Sequence, residues 1–248
     1  MPVPPPAAQG SSSTDRPAVA AIVADLAAAG LAWRGGFHPA PQDGVPALPG
    51  GRAAATLILA GTVGSAWWAD FAPSPEARDG AADPLDRWSR RLLTDLAARH
   101  AAAALFPFGG PPYLPFQRWA GRAEPVAPSP LGILIHPEYG LWHAYRGALA
   151  FAERLALPAP PAAPNPCASC RGRPCLEACP VGAFAAAGYD VARCVAHLDG
   201  PAGGACVAAG CQARLACPVG SDYRYAPAAA GFHMAAFLRA RRGHGTRG

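Results

Sequence analysis

No lysine occurs in this chain; its 21 basic side chains are all arginine. Together with 28 glycines, 30 prolines and long Ala/Pro runs, this reads as a GC-rich bacterial coding bias and carries no functional weight. No uninterrupted apolar stretch reaches the ~18 residues needed to cross a bilayer, so a membrane span drops out of the reading. No charge precedes Asp15, and the Pro/Ser/Gly-rich opening from Met1 to Thr14 lacks the basic region and apolar core of a secretory signal; it reads as a disordered tail. The net charge of +5 is not gathered into a block. Its densest spot, Arg239-Ala240-Arg241-Arg242, reads as a solvated helix end with cations near the C-terminal dipole. Nucleic acid and membrane therefore do not enter as partners, and the expectation is a soluble, cytoplasmic protein. The sharpest absence is of cysteine: none precedes Cys167.

The chain has 248 residues, of which 51% are apolar, enough for one large domain or two small ones with a sizeable core. Periodicity predicts a helix over Pro17 to Ala29, capped by Asp15, with Val19, Ile22, Val23 and Leu26 on one face and Gly30 at its end. Ala55 to Ala60 reads as a buried strand running into Gly61-Thr62-Val63-Gly64-Ser65 and Trp67-Trp68. Asp83 and Pro84 open the strongest helix. Its stripe is Leu85, Trp88, Leu92 and Leu96, and Asp86–Arg90 and Asp95–Arg99 form i,i+4 pairs on the wet side. Short strands are predicted at Ala102 to Phe108 and Gly132 to Ile135, a turn or short helix at Phe116 to Trp119, and a longer strand from Leu141 to Phe151. A Pro/Ala linker, Leu157 to Pro166, then leads to helices at Val191 to Leu198 and Phe232 to Arg241.

All eight cysteines fall in two halves. The first is Cys167-x2-Cys170-x4-Cys175-x3-Cys179-Pro180, and the second is Cys194-x11-Cys206-x4-Cys211-x5-Cys217-Pro218. Each ends in the same five letters: Ala178-Cys179-Pro180-Val181-Gly182 and Ala216-Cys217-Pro218-Val219-Gly220. Clustered cysteines in a reducing compartment bind metal more readily than they form disulfides. Zinc accepts the same thiolates, but its sites usually pair CxxC with CxxC, which neither half does. His197 and His233, near the cysteines, read as packing or surface residues rather than ligands.

The run Cys175-Leu176-Glu177-Ala178-Cys179-Pro180-Val181-Gly182-Ala183-Phe184 resembles the cluster-binding run of the two-[4Fe–4S] ferredoxin family. It departs from that run by two extra residues between Cys170 and Cys175 and by looser spacing in the second half. The resemblance implies two [4Fe–4S] clusters. In such proteins the cysteine before proline ligates the other cluster. Cys167, Cys170, Cys175 and Cys217 would then hold one, and Cys194, Cys206, Cys211 and Cys179 the other.

A ferredoxin module accounts for only part of the chain. The segment His136-Pro137-Glu138-Tyr139-Gly140-Leu141-Trp142-His143-Ala144-Tyr145-Arg146-Gly147, after a buried apolar strand, resembles the cobalamin-processing family that removes the upper ligands of vitamin B12. The Asp83-Pro84-Leu85-Asp86 helix start resembles it too. The resemblance implies a cofactor site, a corrinoid or a flavin such as FMN, with His136, Trp142 and Arg146 as binding residues. Trp67 and Trp68 are further pocket candidates. The domain order and the Cys-Leu-Glu-Ala-Cys-Pro run are similar to the epoxyqueuosine reductase family, which joins a flavin-reductase-like domain to a dicluster module. This chain is shorter, without the helical repeats of many such enzymes, and offers no convincing catalytic acid, so the tRNA reaction is not carried over.

The expected fold class is α+β: an N-terminal sheet-and-helix, flavin-reductase-like domain with a small C-terminal ferredoxin-like dicluster domain. The expected divisions are a tail at 1–14, the α+β domain at 15–156, a linker at 157–166, the dicluster domain at 167–228, and a C-terminal helix and tail at 229–248. The expected function is one-electron transfer between a redox partner protein and a corrinoid or flavin. The alternatives are a non-enzymatic electron carrier with the N-terminal domain as docking adaptor, and a zinc-stabilised structural protein.

Overall fold

The computed structural model describes residues 19–185 and 188–245. The expected tail, the Asp15 cap and the Pro17 helix start lie outside them. Within them the chain is mixed α/β, built on one four-stranded sheet. Its strands are β1 (Ala32–Phe37), β2 (Thr56–Val63), β3 (Ala103–Leu105) and β4 (His143–Phe151). They pair antiparallel throughout, in the order β1-β2-β4-β3.

The apolar run of β2 is explained by burial on both faces. Ile58 and Ala60 point to one core with α1 (Val19–Ala28) and α2 (Pro84–Arg99). Leu57 and Leu59 point to a second core with α3 (Phe116–Ala123). That alternation is the two-residue period of a strand. The strand runs further than its apolar letters, through Thr62 and Val63, because β4 pairs with it as far as His143. In α1, Ile22 and Leu26 are buried, whereas Val23 is exposed.

Several expectations change. Asp86 pairs with Arg146 of β4 rather than Arg90, and Arg99 pairs with Asp25 rather than Asp95. Arg90 instead lies over Phe106 and Phe108, its guanidinium 4.6 and 5.3 Å from their centroids. The strand expected from Gly132 shrinks to Leu134–Ile135, paired with Ala127–Pro128. Gly132 is spent on a turn, with φ +75° and its N–H bonded to the Ser129 carbonyl. Phe116 opens a full helix, α3, and the C-terminal helix is longer than expected.

The cysteine region consists of helices and one small antiparallel ladder, Phe184–Ala185 with Gly188–Tyr189. Pro166–Ser169, Pro174–Glu177 and Gln212–Leu215 are single turns; α4 is Val191–Asp199, α5 is Gly204–Ala209 and α6 is Pro227–Gly245. The connection from Leu157 to Asn165 has no regular structure. The helix α6 packs along α5 and sends Ala229, Ala230 and Phe232 into the core of the first sheet face. The cysteine region meets the N-terminal part backbone to backbone. A Cβ on Gly140 would lie 2.0 Å from the Val219 carbonyl oxygen, and one on Gly220 would lie 2.4 Å from the Tyr139 carbonyl carbon. No described helix is long and apolar enough to cross a membrane.

Candidate functional site

All eight cysteines carry free thiols. Their mutual electrostatics sorts them into two groups. Burial pushes the Cys167 thiol up, and its neighbours Cys217, Cys175 and Cys170 add to this. Burial followed by Cys217 and Cys170 does the same to Cys175, and burial with Cys170 to Cys217. In the second group burial raises Cys194, with Cys179 and Cys206 contributing. Burial also raises Cys211, with Cys194 and Cys206 contributing. In packing, Cys217 and Cys175 share a cluster with Cys167, and Cys179 and Cys211 touch its edge. The second group surrounds a small hollow closed by Phe184, His197 and Met234. Among the described residues, no three His, Cys, Asp or Glu side chains close round a single metal ion.

Hydrogen bonding to Cys194, Cys211 and Cys217 opposes the effect of burial. The Ala183 N–H is 3.3 Å from Cys179 Sγ. The N–H groups of Arg214 and Ala213 lower Cys211, the Val219 N–H lowers Cys217, and the Tyr189 hydroxyl lowers Cys194. His197 Nε2 is 3.8 Å from Cys206 Sγ, a contact between α4 and α5 that no local spacing announces. Such donors favour the charged form of sulfur. They are also a means by which proteins set the potential of a sulfur-ligated centre.

The three residues expected to hold a cofactor do not converge. His136 closes a tight turn, exchanging both backbone bonds with Gly140. Its Nδ1 accepts from the N–H groups of Glu138 and Tyr139 at 3.1 and 3.2 Å, and its ring stacks on Tyr139 at 4.2 Å. Burial pushes its pKa down. Trp142 is 3% exposed and belongs to the core. It lies under the Arg214 guanidinium at 4.5 Å, and its Nε1 has no hydrogen-bond partner among the described residues. Trp67 is in the same core, its Nε1 donating to the Gly64 carbonyl at 2.9 Å.

Arg146 alone of the three borders open space, and a bulge puts it there. Ala60 pairs with Gly147 and Gly61 with Tyr145, which leaves Arg146 as the extra residue. A bulge turns two successive side-chain positions to one face. Gly147 consequently sits under Leu93, and Arg146 reaches Ser89 Oγ with Nε at 2.9 Å and Asp86 with Nη2. The cleft beside it has a volume of about 1000 Å³ and runs between Asp83–Asp86 and α6, with Phe232 and His233 on the far wall. Burial, then Arg214 and Arg146, push His233 down to about 4.

Sequence reasoning missed a buried polar cluster behind β4. Arg34 is wholly buried and donates to Glu124 through Nε at 2.9 Å and Nη2 at 2.6 Å. Tyr145 donates to the same carboxylate at 2.7 Å. Arg34 Nη2 also meets His143 Nδ1 at 3.1 Å. Because a guanidinium only donates, that nitrogen must accept, leaving the proton on Nε2. Burial, then Arg34, push His143 down to about 3.

No protein-family model matches the chain, and no curated protein is significantly similar to it.

Proposed function

We propose that the chain is an iron–sulfur redox protein that passes single electrons through two [4Fe–4S] clusters toward a corrinoid or flavin held by a flavin-reductase-like N-terminal domain. The supporting observation is that Cys179, which precedes proline in the first half, lines one hollow with Cys194, Cys206 and Cys211 of the second, while Cys217 packs with Cys175 and Cys167 of the first. Cys167, Cys170, Cys175 and Cys217 would hold one cluster, and Cys179, Cys194, Cys206 and Cys211 the other. Bound there, the clusters supply one-electron redox chemistry. The donor set suits them: four thiols per group, with the Ala183 N–H 3.3 Å from Cys179 Sγ. The electron source is a partner redox protein, oxidised by one electron for each electron that the acceptor gains.

The acceptor's place in this reading is the cleft at Arg146. Its size matches sites for sizeable organic cofactors. Arg146 is held in one orientation by Asp86 and Ser89, so it offers a fixed fork to a carboxamide or phosphate rim. His233, neutral at pH 7, presents a polar ring on the opposite wall. A second reading, an electron carrier whose N-terminal part is a docking adaptor, is favoured by the closure of His136 and Trp142 into packed surroundings.

The test is anaerobic reconstitution with iron and sulfide. About eight irons per chain are expected, falling to about four in Cys175→Ala. A wild-type content near four, or a colourless protein replete with zinc, overturns the dicluster reading. Titration with cobalamin and with FMN, followed in the visible spectrum, separates the two versions: a shift with either supports the acceptor site, and none with both leaves the carrier.

A further inference from the structure

The arginines gathered near the end of α6 do three different things. Arg242 pairs with Asp199. Arg241 lies over Phe237, its guanidinium 5.4 Å from the ring centroid. Arg239 turns the other way and lines the cleft beside Arg146. The residues of α6 on that cleft are Phe232, His233, Ala236, Arg239 and Ala240, which is the spacing of one helix face. The basic run is therefore not wholly a solvated helix end.

The charges lining the cleft are unevenly answered. Glu76 is held by Arg91 at 2.6 Å, and Asp86 by Arg146. Asp83 acts on Arg87, which it shares with Asp79. Arg239 is exposed and, among the described residues, belongs to no ion pair. It also stands apart from Arg146. Arg146 is close enough to His233 to help depress it, and Arg239 lies ~9 Å farther along the helix axis. Much of the remaining lining is small: Ala77, Ala81, Ala82 and Gly80, and a Cβ on Gly80 would meet nothing within 4 Å. A flat ring system lying at Arg146, against Phe232 and His233, would send its tail out past Arg239.

We propose that Arg239 is a specificity-determining residue that binds the phosphate on the acceptor's tail, so that the cleft selects phosphate-bearing ligands. The proposal rests on the reading of this cleft as the acceptor site. Both acceptor classes named above offer that chemistry: FMN carries a phosphate monoester, and cobalamin a phosphodiester in its nucleotide tail. A guanidinium meets phosphate with paired N–H···O bonds. Arg146 already spends its fork on Asp86 and Ser89, whereas Arg239 gives up no carboxylate to take an anion.

The experiment is equilibrium dialysis of the reconstituted full chain against two pairs of probes: FMN with riboflavin, and cobalamin with cobinamide, which lacks the nucleotide. The phosphate-bearing member of at least one pair should bind about tenfold more tightly, the scale of one charge-assisted contact, and that pair names the acceptor. Arg239→Gln should abolish the preference without weakening the phosphate-free member, which also reports that the cleft is folded. Arg239→Lys should keep part of the preference, and Arg242→Gln, which removes an arginine paired elsewhere, should keep all of it. A wild type without preference in either pair overturns the proposal and leaves the cleft as a site for the ring alone. A preference that survives in Arg239→Gln overturns it too. Equal weakening of both members in that variant means packing, and a loss shared by Arg242→Gln means diffuse charge; either result also overturns it. If none of the four probes binds the wild type, the acceptor reading itself falls and takes the proposal with it.

Discussion

Arg34 has no access to solvent, yet three groups from distant stretches meet its guanidinium: Glu124, the Thr62 carbonyl and His143. A buried charge of this kind persists only when its partners satisfy it. On the other side of the sheet His233 is neutral and half-buried. The two imidazoles have a measurable consequence. Burial, with Arg34 beside one and Arg214 near the other, pushes His143 down to about 3 and His233 down to about 4, whereas an unfolded imidazole titrates near ~6.5. Between those values the unfolded chain binds more protons than the folded one, so stability rises with pH there. It should be fully present above ~6.5 and drain away as pH falls, toward about 4 for His233 and about 3 for His143. Urea midpoints at a series of pH values check this, and His233→Phe should flatten part of the slope. None of this was legible in the sequence. Arg34 and Glu124 are 90 residues apart, and a lone histidine carries no mark of its depth. The cysteines were legible because their spacing is local and repeated.

The regular elements show where local pattern suffices. β2 was readable because an apolar run with no polar face fits only a strand covered on both sides. The bulge at Arg146 was not, because it arises from the pairing register with β2, a property of two segments and not of either alone. The loss of the Asp86–Arg90 pair follows from the same cause: the bulge delivers a competing arginine from β4. At the far end of α2 the backbone closes with the bond pair of a Schellman motif, Ala102 N–H to the Ala97 carbonyl at 2.8 Å and Ala101 N–H to the Ala98 carbonyl at 3.5 Å. That motif ordinarily has glycine in the left-handed position. Here Ala101 holds it, exposed, at φ +52°. Relieving that strain outweighs the added freedom of the unfolded chain, so Ala101→Gly should stabilise the protein by about 0.5–1 kcal/mol. Thermal or urea melts of the two proteins measure it; a loss of stability would show that the position is not strained.

At the scale of the whole molecule, the N-terminal part and the cysteine region share a core and not merely a linker. Tyr225 packs against Trp142 at 5.4 Å, and Phe232 lies 5.1 Å from Phe71. The repeated Cys-Pro-Val-Gly turn shows the same integration. Gly182 and Gly220 have nearly the same backbone, φ +57° and +70°, so alanine strains both alike. Their surroundings differ. A Cβ on Gly182 meets nothing within 4 Å, while one on Gly220 strikes the Tyr139 and Gly140 backbone within 2.5 Å. Gly220→Ala should therefore cost about 1–3 kcal/mol more than Gly182→Ala, the usual range for forcing a methyl into filled space. Equal costs in urea titrations would mean that the seam yields.

That asymmetry gives the doubled word in the sequence two different meanings. One copy is sealed against the rest of the molecule, and the other is left facing outward. On the reading proposed above, traffic through the cysteine region has a doorway and an interior passage: a visiting donor can approach the Gly182 turn, while the Gly220 turn belongs to the wall shared with the cofactor-bearing half. A duplicated segment in which only one copy is walled in has acquired a direction.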